Sequence, residues 1–520
     1  MRDEGQQRLV DELHRRRGAV RDRFDSAAVR ERLAELGAQS VRSRIDEICD
    51  DGSFVETGTF VVSGRPDDEA TTPGDGKIGG HGSVGGRPIT IIGDDVTVKR
   101  GSTATMGTRR KKRLFAQALQ RGNPFVVLGE SAGARIPDIL GAEGLTEMDL
   151  DRAAATRQRR IPMVSVITGQ SYGGSSFAAA HSDIVVQVKG ACTSITSPRL
   201  IEVATGESVT AEELGGLDVH LSKTGQVDFG ASDFSEAADI VRNVLGYLPS
   251  NADRVPERLD FDVKSLTDGT LADLVPSRMR RAYDMRRVLR RLSDDGQILE
   301  IQPDFGKPLI TAFARIGGYS VGILASQPMV QAGALDPDSC DKAVRFICLC
   351  ESFNLPLIFL QDLPGFMVGK SVEHNRLLAK AIMMQQAFSL TTVPKLTVVM
   401  RKAYGFGYFA LGGVFEAVDG LYAWPSAAFG FMDQKAGAQV VRGRDLGGLS
   451  ATERQSVLAE SGEEFDTEFD AYIPAKRMRI DEVIDPAETR LTLVRDLERL
   501  VPRYAEQTHD KPLMSWPTRW

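Results

Sequence analysis

The segment best suited to chemistry is Gly169-Gln170-Ser171-Tyr172-Gly173-Gly174-Ser175-Ser176, which follows the apolar run Met163-Val164-Ser165-Val166-Ile167 and precedes small, helix-forming residues. Glycines let main chain approach a ligand closely. The N–H groups at the head of the following helix point outward, and the helix dipole favours negative charge there. Fixed donors of this kind form an oxyanion hole for a developing enolate or tetrahedral oxygen. Tight packing of a helix on a strand asks for glycine as well, so this run alone leaves both roles open.

A second glycine turn, Glu130-Ser131-Ala132-Gly133-Ala134-Arg135, ends the buried strand predicted at Phe125-Val126-Val127-Leu128. It has a counterpart, Asp362-Leu363-Pro364-Gly365-Phe366, after Leu357-Ile358-Phe359-Leu360. The carboxyl ends of strands are where α/β sheets bind ligands. Gly129 to Gly133 also spells G-x-S-x-G, the nucleophile elbow of serine hydrolases, with Ser131 as nucleophile and His181, His220, His374 or His509 as base. The counterpart turn has no serine, and the hydrolase fold is not a duplication, so this reading ranks low.

Other patterns carry less. Gly74-Asp75-Gly76-Lys77-Ile78-Gly79 matches G-x-G-x-x-G, but no strand-like run precedes it and Arg87-Pro88-Ile89-Thr90-Ile91-Ile92 follows, so a hairpin turn is expected. Arg109-Arg110-Lys111-Lys112-Arg113 could meet the phosphates of a nucleotide moiety, yet one solvated helix face is the favoured reading. Cys348 and Cys350 are two apart on a predicted helix and face different directions, and the six histidines have no ligand spacing, so no metal site is expected.

The elements that must position these turns are written twice. Gly85-Gly86, Gly101, Arg113, Pro124, Gly133, Pro162, Tyr172 and Gly173 recur, each 232 residues later, as Gly317-Gly318, Gly333, Arg345, Pro356, Gly365, Pro394, Tyr404 and Gly405. A generic strand-and-helix alternation would repeat the pattern but not hold one register. Each copy alternates apolar strands with helical stretches, such as 112–119 and 342–353, which implies parallel sheets with right-handed crossovers. A charged helical segment is expected over 1–45, a first domain over 46–250, a linker over 251–273 and a second domain over 274–520, with a closing helix over 488–500.

Composition narrows the class. Hydrophobic residues at 42% and charged residues at 26% permit large buried cores. A net charge of −7 argues against nucleic-acid binding, and no apolar stretch is long enough for a membrane span. The first residues lack the apolar core of a secretory signal. The five cysteines are scattered, which predicts a reducing cytoplasm rather than a disulfide framework.

Together these residues resemble the carboxyltransferase (β) subunit of biotin-dependent acyl-CoA carboxylases of the propionyl-CoA carboxylase type. The resemblance runs from about Ile45 to Val441, on Pro73-Gly74-Asp75-Gly76, the turn 130–136, Gly173-Gly174, the stretch 205–216, Asp362-Leu363-Pro364-Gly365-Phe366, Arg401-Lys402-Ala403-Tyr404-Gly405 and Tyr422-Ala423-Trp424-Pro425. It implies an α/β fold made of two crotonase-like domains in tandem, which would account for the repeat. It implies acyl-CoA on the first copy, biotin on the second copy of a partner subunit, and a homo-oligomer, in that family a hexamer. A biotin carboxylase/biotin carrier subunit is the expected partner; no nucleic acid and no membrane partner is expected. Carboxybiotin would release CO2, the biotin enolate would take the acyl-CoA α-proton, and the acyl-CoA enolate would capture the CO2, so no protein base is required.

By that resemblance Gly173 and Gly174 hold the thioester enolate, and Ser131, Ala132, Gly133, Ala134 and Arg135 contact the substrate end of coenzyme A. Gly405, Phe406 and Gly407 face the biotin carbonyl. The chain departs from the family where a Gly is Phe406, where an Asp that helps set acyl preference is Phe409, and where Met-Gly is Met432-Asp433. Two consequences stay open: a larger, more apolar acyl group, or a biotin-independent crotonase-type enzyme such as a malonyl- or methylmalonyl-CoA decarboxylase.

Overall fold

The computed structural model describes residues 4–136, 138–148, 152–263, 266–442, 450, 452–454, 456 and 468–516. The chain divides into two compact units, one of which runs essentially from Met1 to Gly246 and the other from Arg254 to Trp516. Among the described residues each unit is built on one eight-stranded sheet.

In the first unit the strands are β1 (Val55–Glu56), β2 (Lys77–Val84), β3 (Arg87–Asp94), β4 (Phe125–Ser131), β5 (Met163–Tyr172), β6 (Ile184–Val188), β7 (Cys192–Ser194) and β8 (Phe229–Ala231). Their order is β1-β2-β3-β4-β5-β6-β8, with β7 pairing the far end of β5. The β2–β3 hairpin is antiparallel and β3 through β8 run parallel. In the second unit β9 (Ile298–Ile301), β10 (Leu309–Ile316), β11 (Tyr319–Ser326), β12 (Leu357–Leu363), β13 (Lys395–Tyr404), β14 (Gly420–Ala423), β15 (Ala428–Gly430) and β16 (Glu482–Val483) repeat that order, with β15 pairing β13.

The register of the repeat survives in three dimensions. β10, β11, β12 and β13 begin and end 232 residues after β2, β3, β4 and β5. The isolated bridge Thr103↔Ala134 returns as Leu335↔Phe366 at the same spacing. Strands β4 and β12 are buried at every position, as parallel strands covered on both faces must be.

Boundaries differ from expectation in ways that matter to the turns. Helices span Thr105–Arg121 and Pro337–Ser352, longer than 112–119 and 342–353. The earlier starts lie in segments whose apolar periodicity is weak, and Asp336 caps the second by accepting from the N–H of Ser339 at 2.7 Å. Residues 169–172 are strand rather than turn, because Gln170 to Tyr172 pair with β7. The hairpin turn lies at Gly85-Gly86, not at 74–79; Gly74, Asp75 and Gly76, all at positive φ, form a tight left-handed turn that leads into β2. The five-base run is not one solvated face. Successive helical residues point about 100° apart, and Arg110 is buried, donating to the carbonyl of Lys77 at 2.6 Å and pairing with Glu56 at 2.9 Å.

Arg110 has a twin in Lys342, which is fully buried and donates to the carbonyls of Phe305 at 3.0 Å and Leu309 at 2.7 Å. Burial pushes the Lys342 ammonium down to about 7, whereas in the unfolded chain it titrates near 10.4. Between these values the folded chain holds fewer protons than the unfolded one, so stability rises with pH through that window, and the burial penalty is fully present below it. Lys342→Arg keeps its charge throughout. The Tm difference between wild type and Lys342→Arg is therefore expected to widen in favour of wild type from pH 7 to pH 9.5, by roughly 2 °C or more. A constant difference would contradict the burial assignment.

Candidate functional site

The head of the Gly174–His181 helix is set by one backbone feature. Gly173 has φ 61° and ψ −119°, a conformation that side-chain-bearing residues avoid, and it turns the chain from β5 into the helix. Its own N–H donates to the carbonyl of Ile195 at 3.2 Å. Gly173 thus shapes the turn with its own N–H engaged inside the fold, and Gly174 opens the helix, whose first-turn N–H groups have no partner within the helix. The two glycine turns meet, since a Cβ on Gly173 would lie 3.7 Å from the Cα of Gly133.

Beneath this helix head lies a buried polar cluster that the sequence did not point to. Asp94, at the end of β3, accepts from Lys77 Nζ and from Ser175 Oγ, and its Oδ2 also accepts from the N–H of Glu130 at 3.1 Å. One carboxylate therefore ties together β2, the end of β4 and the second residue of the helix. Lys77 and Asp94 are both nearly inaccessible, so each charge depends on the other.

The turn after β4 divides by alternation. Ala132 and Ala134 are exposed, while Ser131, Gly133 and Arg135 point inward. Arg135 is turned into the fold. Its guanidinium pairs with the Asp75 carboxylate, and it also donates to Ser102 Oγ at 3.1 Å and to the carbonyls of Asp75 at 3.2 Å and Ser102 at 3.1 Å. A buried cation needs such partners, and its work is to fix the backbone around the turn. Ser131 belongs to β4, is fully buried, is absent from the positive-φ residues, and accepts from the N–H of Gly133 at 3.2 Å. A nucleophile elbow needs an exposed hydroxyl on a strained turn next to a base. The hydrolase reading therefore fails on geometry, and His220 is held by Thr193 and Thr224 while His509 is held by Tyr504.

A cavity of about 290 Å³ opens beside Gly174, between β3, β4 and the Thr105–Arg121 helix. Its walls are largely apolar, with Ile92, Val127, Leu128, Leu145, Phe177 and Ala178, and Lys111 and Lys112 also line it. Apolar walls with a few placed polar groups suit an acyl chain or a thioester arm.

The second unit repeats the helix head. Gly405 has φ 58°, and in the register of the repeat Phe406 stands where Gly174 stands and Gly407 where Ser175 stands. Gly407 has to be glycine, because a Cβ there would come 2.8 Å from the Cα of Gly365. Phe406 is 41% exposed and Phe409 46% exposed, and the Phe406 ring lies 5.8 Å from that of Phe366. Both rings are partly exposed beside this main-chain turn. Asp433, another departure from the family pattern, accepts from the N–H of Ala436 at 3.2 Å and caps the Gln434–Arg442 helix.

Residues 34–511 match the carboxyl transferase domain family. The chain is 35% identical over 489 residues to the methylmalonyl-CoA carboxyltransferase 12S subunit of Propionibacterium freudenreichii subsp. shermanii, covering 93% of this chain and 91% of that one. It is 34% identical to the propionyl-CoA carboxylase carboxyltransferase subunit of Haloferax mediterranei, covering 96% and 98%. A crystal structure of transcarboxylase 12S, described as a hexamer assembly with methylmalonyl-coenzyme A and methylmalonic acid bound, superposes with a TM-score of 0.87 at 34% identity, over 97% of this chain and 96% of that chain. With the two sheets of one topology, this likeness agrees with a tandem of two crotonase-like domains.

Proposed function

The chain belongs to the carboxyl transferase domain family, and from that premise we propose that it moves a carboxyl group between biotin and the α-carbon of an acyl-CoA through an enolate held at Gly174. It is an enzyme of the acyl-CoA carboxyltransferase class. The observation that carries the finer reading is the glycine-turned helix head beside an apolar cavity in the first unit, repeated at Gly405 in the second.

The substrate's acyl portion enters the cavity beside Gly174. As the α-proton leaves, charge collects on the thioester oxygen, and the N–H of Gly174 donates to it with the helix dipole aligned behind. Asp94 keeps that donor in place through Ser175, and Arg135 fixes the neighbouring turn through Asp75. Ala132 and Ala134 give the substrate an unobstructed main chain to lie against. Biotin, carried on a partner subunit, would supply the activated carboxyl group and take up the α-proton. In the second unit the main chain at Phe406 and Gly407 would hold its polar edge, and Phe406 and Phe409 would line its apolar face. By analogy with transcarboxylase 12S the working form is a hexamer. No helix among the described residues is long and apolar enough to cross a membrane.

Family membership favours transfer over biotin-independent decarboxylation. Incubation of the purified protein with methylmalonyl-CoA and biocytin runs the reaction in reverse. The expected result is loss of the free carboxyl group from methylmalonyl-CoA only when biocytin is present. Loss at the same rate without biocytin, or with avidin added, would replace transfer by direct decarboxylation.

A further inference from the structure

We propose that Thr103 is a second oxyanion donor in the first unit: its hydroxyl hydrogen-bonds the thioester oxygen beside the N–H of Gly174. This rests on the carboxyltransferase reading and adds to it a residue that no family landmark above includes.

Thr103 is only 5% exposed and lines the cavity next to Gly174. Its Oγ1 is buried and has no hydrogen-bond partner among the described residues. A buried hydroxyl without a partner costs stability, so such groups in native folds call for an explanation, a ligand among them. The residue is also held firmly. Its N–H donates to the carbonyl of Gly133 at 2.7 Å, and its carbonyl accepts from the N–H of Arg135 at 2.8 Å, so it bridges to the turn that Arg135 and Asp75 fix. The hydroxyl is close to the helix head, since a Cβ built on Gly174 would lie 3.2 Å from Thr103 Oγ1. Two donors so placed could converge on one oxygen.

The duplication supplies an internal comparison. The counterpart of Thr103 is Leu335, which makes the same parallel bridge to its own turn and is fully buried. The bridge therefore does not need a hydroxyl, and the polar group is peculiar to the copy that we assign to acyl-CoA. Hydrogen bonding to the oxygen as it gains charge transfers no proton. The hydroxyl proton stays on Thr103 while the electron pair of the broken α-C–H bond is shared between the α-carbon and the thioester oxygen.

Thr103→Val keeps the shape and removes the donor; Thr103→Ser keeps the donor. With methylmalonyl-CoA and biocytin, Thr103→Val is expected to lower kcat by roughly 10²-fold, with KM changed by less than about threefold and Tm unchanged or raised. Thr103→Ser is expected to stay within about threefold of wild type. A Thr103→Val enzyme with kcat within about twofold of an active wild type would overturn this assignment and leave the carboxyltransferase reading intact. A loss of kcat accompanied by a lower Tm and not rescued by Thr103→Ser would make the residue structural and would equally overturn it. A wild type without biocytin-dependent transfer would overturn both.

Discussion

Gly174→Val is expected to lower kcat for biocytin-dependent carboxyl transfer by about 10²- to 10³-fold, the loss seen when one oxyanion donor is taken away. The valine branches would occupy the space in front of the Gly174 N–H, where the thioester oxygen must arrive. The Cβ alone would lie 3.2 Å from Thr103 Oγ1, a tight contact to which the threonine hydroxyl must yield by a few tenths of an ångström. Gly174 has ordinary helical geometry, unlike Gly173. Folding should therefore survive, at a cost of roughly 1–3 kcal/mol for overpacking. Turnover and thermal melting measured on the same preparation separate the two effects. A variant that melts normally and turns over normally would show that Gly174 is only a packing glycine.

The second large effect is expected at Asp94. Asp94→Ala leaves the Lys77 ammonium buried without its counter-charge and releases Ser175 at the helix head. Breaking one side of a buried ion pair costs about 3–5 kcal/mol, a fall in Tm of roughly 6–20 °C. Removing both charges, in Asp94→Leu with Lys77→Met, is expected to recover most of that stability, since apolar replacement of a buried pair is often neutral. It should not recover turnover, because the tie to Ser175 is still missing. If the double variant regained full kcat, the cluster would be merely structural.

The sequence made some of this legible and hid the rest for physical reasons. The duplication could be read because identical residues kept one register over the strands that form the middle of each sheet, where insertions are not tolerated. β2 to β5 and β10 to β13 consequently match end for end. The glycine turns could be read because positive φ and close approach leave glycine as the residue of choice. The resemblance placed Arg135 with the turn that contacts coenzyme A; its partner Asp75 is 60 positions upstream, so the buried pair exists only in the folded chain.

The Asp94 cluster was invisible for the same reason. Lys77 and Asp94 are opposite each other across a hairpin, and Ser175 reaches them only once β3, β4 and β5 are side by side. Thr103 had one signal that was available: in the register of the repeat a threonine stands opposite a leucine, a polar–apolar mismatch at a position the repeat otherwise keeps buried. Phe406 and Phe409 were visible as departures, and the structure adds that their rings are partly exposed rather than absorbed into the core.

The most direct measurement is a crystal structure of the protein with an acyl-CoA bound. The thioester oxygen should lie about 2.7–3.1 Å from the N–H nitrogen of Gly174, within hydrogen-bond reach of Thr103 Oγ1, with the acyl group in the cavity lined by Ile92, Val127 and Phe177. A thioester oxygen beyond hydrogen-bond distance of Gly174, with the acyl group outside that cavity, would contradict the account at its centre.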